Sequence, residues 1–375
     1  MKNRREHLRL LAAYLGGQDS DGKDHPTGLP TLEIGALADI DVFATASSEA
    51  ILPALYPRLQ ALHLLDQVPT EVVDALAAAT ELNRERNQVI LSQAHTVVAL
   101  LNNAGIEPIA LKGLAYILTG IYLDPGTRYL IDLDFLIPEH QIATAIQVLA
   151  DVGYTAYADD QVAAFRHHAP PMLRTNCVQI ELHHSLGLGV CSDILPASEI
   201  IAASQPYDWN GARLRIPSPD HLVTHLILHS QIRHPYCERI WPPLRALYDL
   251  LLLTRHYATS LNWPSIRQRF RASGQQTTLY LHLLQVEQTL AMPRPFPIVL
   301  TATEQFRWLR RKALDRWPSL RFIDPIYLAL STLSRRFRLL RSMLIVPGGW
   351  KHATQMFLNP AFYRRLISEI TLSRQ

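Results

Sequence analysis

The segment "RYLIDLDFLIP", residues 128–138, places two carboxylates two positions apart in an apolar run. Period-2 apolar residues predict a strand, on which residues i and i+2 share a face. Asp132 and Asp134 then stand side by side, while Ile131, Leu133 and Phe135 turn into a core. Two like charges ~4 Å apart repel by about 4 kcal/mol at an effective dielectric near 20, so the pair calls for a counter-charge. A second segment, "CVQIELHHSL", repeats the pattern, with Val178, Ile180 and Leu182 on one face and Gln179, Glu181 and His183 on the other. If the two strands are neighbours, Asp132, Asp134 and Glu181 converge on one sheet face. Hard divalent cations relieve such a cluster, and Mg²⁺ takes a few carboxylates together with waters and substrate phosphates. Two metals roughly 3.5–4 Å apart hold the attacking and leaving oxygens of a phosphoryl or nucleotidyl displacement. The expected cofactor is therefore Mg²⁺, as two ions, with Mn²⁺ as a substitute.

The parts of a phosphate site lie upstream. "IEPIALKG" reads as a short buried strand that ends at Gly113. A glycine between strand and helix lets the backbone approach a phosphate and aims helix N–H groups at it. Lys112 and Arg128 supply positive charge for a polyphosphate, where catalysis is mostly positioning and charge stabilisation. Plainer readings stand beside these. Arg128 pairs with Asp132, Lys112 is a surface residue at a strand end, and the two aspartates face solvent. His183 shares the face of Glu181, within reach of a substrate phosphate or a metal-bound water, whereas His184 points the other way. His221, His225 and His229 recur every four residues, but no carboxylate or thiolate continues that spacing, so a packed or acceptor-lining helix face is favoured over zinc. Asp249, set among leucines in "LYDLLLL", needs a partner if buried, an arginine or the cleft between domains.

The elements that must hold these residues follow from period and punctuation. Residues 17–31 read as a polar loop after a short first helix, and helical periodicity runs from about Ser47 to Asn103, with Pro69-Thr70 and Gly105 as start and stop signals. A helix from Leu114 to about Tyr122 leads to the Asp132 strand. Residues 138–154 form a helix stopped by Gly153, and short strands follow near Thr155, Met172 and Cys177. Alternating helix and strand over 105–190 predicts an α/β domain. From Asp220 onward the pattern is helical.

Composition bounds the setting. The chain has 375 residues, 48% hydrophobic and 18% charged, which describes a globular protein with room for a sizeable core. Its net charge is +3, but residues 301–375 hold 14 Lys and Arg against 4 Asp and Glu. The arginines at 335, 336, 338 and 341 are read as solvated positions on a capping helix, ahead of an anionic membrane surface or an acceptor groove. Aromatic interleaving for single-stranded nucleic acid is not evident, so no nucleic acid is expected. Three cysteines without a CxxC pair predict neither a disulfide framework nor a zinc knuckle. No apolar run reaches signal-peptide or spanning length, so a cytoplasmic protein is expected.

The order "LKG", "DPGTRYLIDLDFLI", a helix ending "VGY", then "IELHHSL" resembles the poorly characterised nucleotidyltransferase family of the polymerase-β superfamily. "LRALYDLLLL" and "LNWPSIRQRFRASG" look like its later segments, so the likeness covers most of residues 50–350. In that superfamily a glycine turn precedes a D-x-D strand and a later strand supplies a third carboxylate, here Gly113, Asp132 with Asp134, and Glu181. Leu114 stands where a Ser or Gly usually follows the turn glycine. The resemblance implies an α/β (α+β) nucleotidyltransferase-like core with a small mixed sheet at 105–217. An N-terminal helix and loop (1–45) and further helices (46–104) precede it, and a helical domain with the basic tail (218–375) follows. It implies Mg²⁺-dependent transfer of a nucleotidyl group from an NTP, ATP being expected, to an acceptor hydroxyl or phosphate on a small molecule or peptide. Asp132 and Asp134 would bridge the metals, Glu181 would hold the acceptor-side metal, and Lys112, Gly113, Arg128 and His183 would contact the nucleotide. Phosphoryl transfer to a small molecule or ribosomal peptide, and an inactive nucleotide-binding regulator, are the competing functions.

Overall fold

The computed structural model describes residues 4–16, 34–157, 167–233, 241–317 and 319–320. Helices open the chain: α1 (Arg4–Gly16), α2 (Ile40–Ser48), α3 (Leu52–Ala61) and the 34-residue α4 (Thr70–Asn103). The helical run expected from Ser47 is broken at two left-handed residues, Ala50 and His63, and Pro53 opens α3. The loop at 17–31 and the arginines at 335–341 lie outside the described residues. Helix α4 begins after Pro69 and ends before Gly105, whose φ of 75° suits a helix stop. Its buried residues, among them Val72, Leu76, Ile90, Ala94, Val97 and Leu101, recur at three- and four-residue steps and make one apolar stripe.

Among the described residues seven strands form one mixed sheet in the order β3-β4-β5-β2-β1-β7-β6. They are β1 (Ile109–Ala110), β2 (Leu133–Leu136), β3 (Thr155–Ala156), β4 (Met172–Leu173), β5 (Ile180–His183), β6 (Gln205–Trp209) and β7 (Ala212–Ile216). The central pairs β2–β5 and β1–β7 are parallel, and the remaining neighbours are antiparallel. Leu133, Phe135, Ile180 and Leu182 are fully buried on one face, as alternation requires. Two local expectations fail. Ile131 is half exposed because β2 starts only at Leu133, and Cys177 sits in a turn at left-handed Asn176, ahead of β5. The β6–β7 hairpin has no counterpart in the predicted elements. Its turn is Asn210-Gly211, both at positive φ, a strong short hairpin signal.

Between the strands lie α5 (Lys112–Leu118), α6 (Ile142–Asp151), α7 (Val190–Ile194) and α8 (Ala197–Ala203). Helix α5 stops four residues before Tyr122, with Gly120 at positive φ. Helices α9 (Pro219–Ile227), α10 (Leu244–His256), α11 (Trp263–Ala272) and α12 (Gln276–Leu290) follow. All of these belong to one compact unit, residues 1–237 with 242–299. The second unit comprises 238–241 with 300–375, and in it α13 (Ala302–Arg316) starts on a Thr301–Glu304 capping box. No helix among the described residues is long and apolar enough to cross a membrane.

A buried ion pair ties α10 to the loop before β2. Arg128 Nε and Nη2 donate to the two carboxylate oxygens of Asp249 at 2.8 and 2.9 Å, and the Tyr122 hydroxyl donates to Asp249 Oδ1 at 2.5 Å. Both charged side chains are buried, so neither water nor another ion can replace the partner. Arg128→Met should therefore lower stability by about 3–5 kcal/mol by stranding Asp249. The double variant Arg128→Met/Asp249→Leu should lose less than the two single changes summed, as urea unfolding in a double-mutant cycle will show.

Candidate active site

The parallel register of β2 and β5 sets Asp134 directly beside Glu181, and His183 beside Leu136. One ligand atom each from Asp134, Glu181 and His183 lies within 4.8 Å of the others. The His183 Nε2 is 2.8 Å from Asp134 Oδ1 and 3.4 Å from Glu181 Oε2. The Lys112 ammonium donates to the same Asp134 Oδ1 at 2.6 Å. Lys112 thus faces the carboxylates rather than the outer surface. Its φ of 48° puts a bulky residue in the left-handed region, at a cost of roughly 1–2 kcal/mol that the ion pair helps to offset. Asp132, one residue before the strand, is partly buried, and no hydrogen bond reaches its side chain among the described residues.

These positions give the carboxyls opposite character. Burial pushes Asp134 up, but the Lys112 charge and the His183 hydrogen bond outweigh it and hold the group well below the usual carboxylate range. For Glu181 burial again pushes up, and the His183 hydrogen bond and the Lys112 charge bring it down despite Asp134. Burial lowers His183, yet its bonds to Asp134 and Glu181 raise it above the ordinary imidazole value. Asp132 goes the other way, pushed to about 6 by burial and by the charges of Asp134 and Glu181. Metal-free, the cluster therefore carries one carboxyl that is poorly compensated.

Two expected phosphate contacts are placed differently. Arg128 is committed to Asp249 and does not join the carboxylates, nor does it pair with Asp132. Gly113 is buried, and a Cβ there would meet Leu130 Cδ2 at 2.6 Å, so the close approach of Leu130 already requires a glycine at this position. The helical histidines assemble no metal-type donor group among the described residues. His221 contacts Glu199 at 3.3 Å, itself paired with Arg269. His225 is driven down to about 3 by burial and by the charges of Lys112 and His183, which keeps it neutral beside the cluster. Arg245, in the first turn of α10, is a charge that sequence reasoning passed over. It acts on Asp132 from a segment 113 residues away, and only its i, i+4 spacing to Asp249 could have signalled it.

The donor chemistry fits a hard divalent cation. Asp134 and Glu181 present oxygens side by side, and Asp132 adds a carboxyl that added positive charge would relieve, while His183 Nε2 stays paired with Asp134 and Glu181.

The contrast between the two aspartates is measurable in EDTA. A carboxyl raised to about 6 when folded, against ~3.9 unfolded, destabilises the fold fully above pH 6 and not at all below about pH 4. Asp132→Asn should therefore stabilise the metal-free protein by about 1–2 kcal/mol at pH 7.5, allowing for solvent screening, and by nothing at pH 4. Asp134→Asn should destabilise it by about 3–5 kcal/mol at pH 7.5, because Lys112 and His183 lose their buried partner. Denaturant midpoints at the two pH values check both signs.

Comparison with known proteins adds the kinship. No protein of curated function matches the chain. Among solved structures, the antibiotic-resistance factor ANT(2″)-Ia in solution aligns with 53% of this chain and 98% of its own at a TM-score of 0.37 and 11% identity. Its crystal structure in complex with adenylyl-2″-tobramycin covers 49% and 97% at 0.35 and 11%. An antigenic nucleotidyltransferase-like protein from Paracoccidioides brasiliensis covers 55% and 91% at 0.32 and 13%. The sequence match to a family is broader, running over residues 39–291, short of the 350 expected but taking in α2 to α12 and the whole sheet. The chain belongs to the uncharacterised nucleotidyltransferase family.

Proposed function

We propose that the protein is a Mg²⁺- or Mn²⁺-dependent enzyme that moves a nucleotidyl group from an NTP, with ATP the first candidate, to an acceptor hydroxyl or phosphate. The observation that carries this reading is the side-by-side placement of Asp134 and Glu181 on parallel strands, with Asp132 at the mouth of β2. Asp132, Asp134 and Glu181 would hold the cation, which when bound neutralises phosphate oxygens and favours the ionised acceptor. Lys112 and His183 fix the rotamer of Asp134, so its free oxygen is aimed before any ligand arrives. Glu181 is the more accessible of the two paired carboxylates, which suits it to hold the acceptor-side metal. In the reaction the acceptor oxygen bonds to the α-phosphorus, the bond to the bridging oxygen breaks, and pyrophosphate leaves with the electron pair. The acceptor proton passes to a carboxylate or to solvent.

One observation supports a second reading, a nucleotide-binding protein without turnover. Asp134 Oδ1 already accepts from both Lys112 and His183, so this oxygen is neutralised without a metal.

The deciding measurement incubates the chain with α- and γ-labelled NTPs and hydroxyl, phosphate and peptide acceptors, in Mg²⁺ or EDTA. Transfer of the α-label, with pyrophosphate released and all activity lost in EDTA, is expected. Transfer of the γ-label would make it a kinase, and metal-independent NTP binding without transfer would favour the second reading. Glu181→Gln should cut turnover by about 10²–10³-fold, as loss of a charge-stabilising group does, while retaining most Mg²⁺–NTP affinity. Full turnover in that variant would remove Glu181 from the site.

A further inference from the structure

The protein itself answers the charge of nearly every cation near the carboxylates. Lys112 is held by Asp134, Arg128 by Asp249, His183 by Asp134 and Glu181, and His225 is neutral. Arg245 is different. It stands one turn before Asp249 on the same face of α10, which carries it to the Arg128–Asp249 pair and toward Asp132. Its side chain is partly buried, yet among the described residues no hydrogen bond or ion pair reaches its guanidinium. Burial and the neighbouring Arg128 push it below the ordinary arginine range, while Asp249 and Asp132 pull back. Asp132 shares the condition, being partly buried and free of hydrogen bonds. The two feel each other's charge, yet among the described residues no direct ion pair joins them, so both charges are open to a ligand that carries both signs.

We propose that Arg245 binds the polyphosphate of the incoming nucleoside triphosphate, the role that sequence reasoning placed on Arg128. A guanidinium offers five donors in a planar fork matched to phosphate oxygens, and one not already paired can give that energy to a ligand. Asp132 would face the cation of a metal-bound polyphosphate and Arg245 its anionic oxygens, so one ligand would answer both charges. The nucleotide is the proposed occupant because Arg245 stands one turn before Asp249, whose partner Arg128 lies in the loop that leads to Asp132. The inference rests on the proposed use of an NTP but not on turnover.

The test is calorimetric titration of the full chain in Mg²⁺, without acceptor, using inorganic tripolyphosphate and each of ATP, GTP, CTP and UTP. Arg245→Ala and Arg245→Gln should weaken tripolyphosphate and the preferred NTP about 10- to 100-fold, with Arg245→Lys recovering part of the loss. The salt dependence of binding should become shallower in the same variants. Melting temperatures near that of the natural chain verify folding, and using two neutral replacements keeps the comparison if one misfolds. Unchanged affinity for both ligands overturns the proposal, as does absence of binding to the natural chain. Arg245-dependent binding by a chain that transfers no label overturns the transferase reading alone. Transfer that proceeds with Arg245→Ala binding normally overturns the Arg245 role alone.

Discussion

The structure turns on how a carboxylate is kept charged inside a sheet. Asp134 is 2% exposed in the middle of β2, where an unpaired charge would cost several kcal/mol. Lys112 and His183 reach the same oxygen from opposite neighbouring strands, one from the end of β1 and one from the end of β5. This requirement propagates. It holds Lys112 in a left-handed backbone and so shapes the turn into α5. It also makes the β2–β5 register expensive to shift, since a slip of one residue would remove His183 from Asp134 and turn Glu181 into the core. Glu181 is therefore placed by a constraint that belongs to its neighbour.

The loops that bring these strands together are short of secondary structure, and α4 supplies what they lack. Asn83 Nδ2 donates to the carbonyls of Gly126 and Arg128, and Asn87 Nδ2 to those of Pro125 and Arg128. Arg86 donates to Leu130, while Gln93 both donates to and accepts from Val178, at the start of the β5 segment. Buried backbone carbonyls need partners, and a helix of 34 residues can provide them along the whole approach to the site. The loop before β2 is thus clamped from one side by α4 and from the other by Asp249 of α10. Asp132 leaves that clamp with its backbone fixed and its side chain unanswered.

Much of this was legible from spacing. The period-2 pattern placed Asp134, Glu181 and His183 on one face, and adjacency of the two strands needed only a parallel pairing. The limits of α4 were marked by Pro69 and Gly105, which act locally. The contacts that spacing did not reveal share a different cause. Arg128 could not be distinguished from a phosphate ligand because its partner lies 121 residues away, and Asp249, recognised as needing a partner, did not name it. Gly113 had the context of a phosphate turn, but the atom filling its Cβ space comes from Leu130, a contact no local pattern encodes. Asn210-Gly211 is the exception: its signal was local and simply went unread.

The site accordingly divides into charges that are satisfied in the free protein and charges that are not, and the division follows function in the proposed reading. An interaction already made within the protein contributes nothing to ligand affinity, because only differences between the free and bound states count. Asp134, Lys112 and Arg128 are already satisfied by internal partners, and they provide rigidity and correct aim. Asp132 and Arg245 have no hydrogen-bond or ion-pair partner among the described residues, so in the proposed reading their attraction is reserved for what enters. Opposite in sign and without a direct ion pair between them among the described residues, they stand beside the clamped β2 loop and in the first turn of α10. Preorganisation of this kind costs stability at Asp132, where burial and the charges of Asp134 and Glu181 disfavour the ionised carboxyl until positive charge arrives.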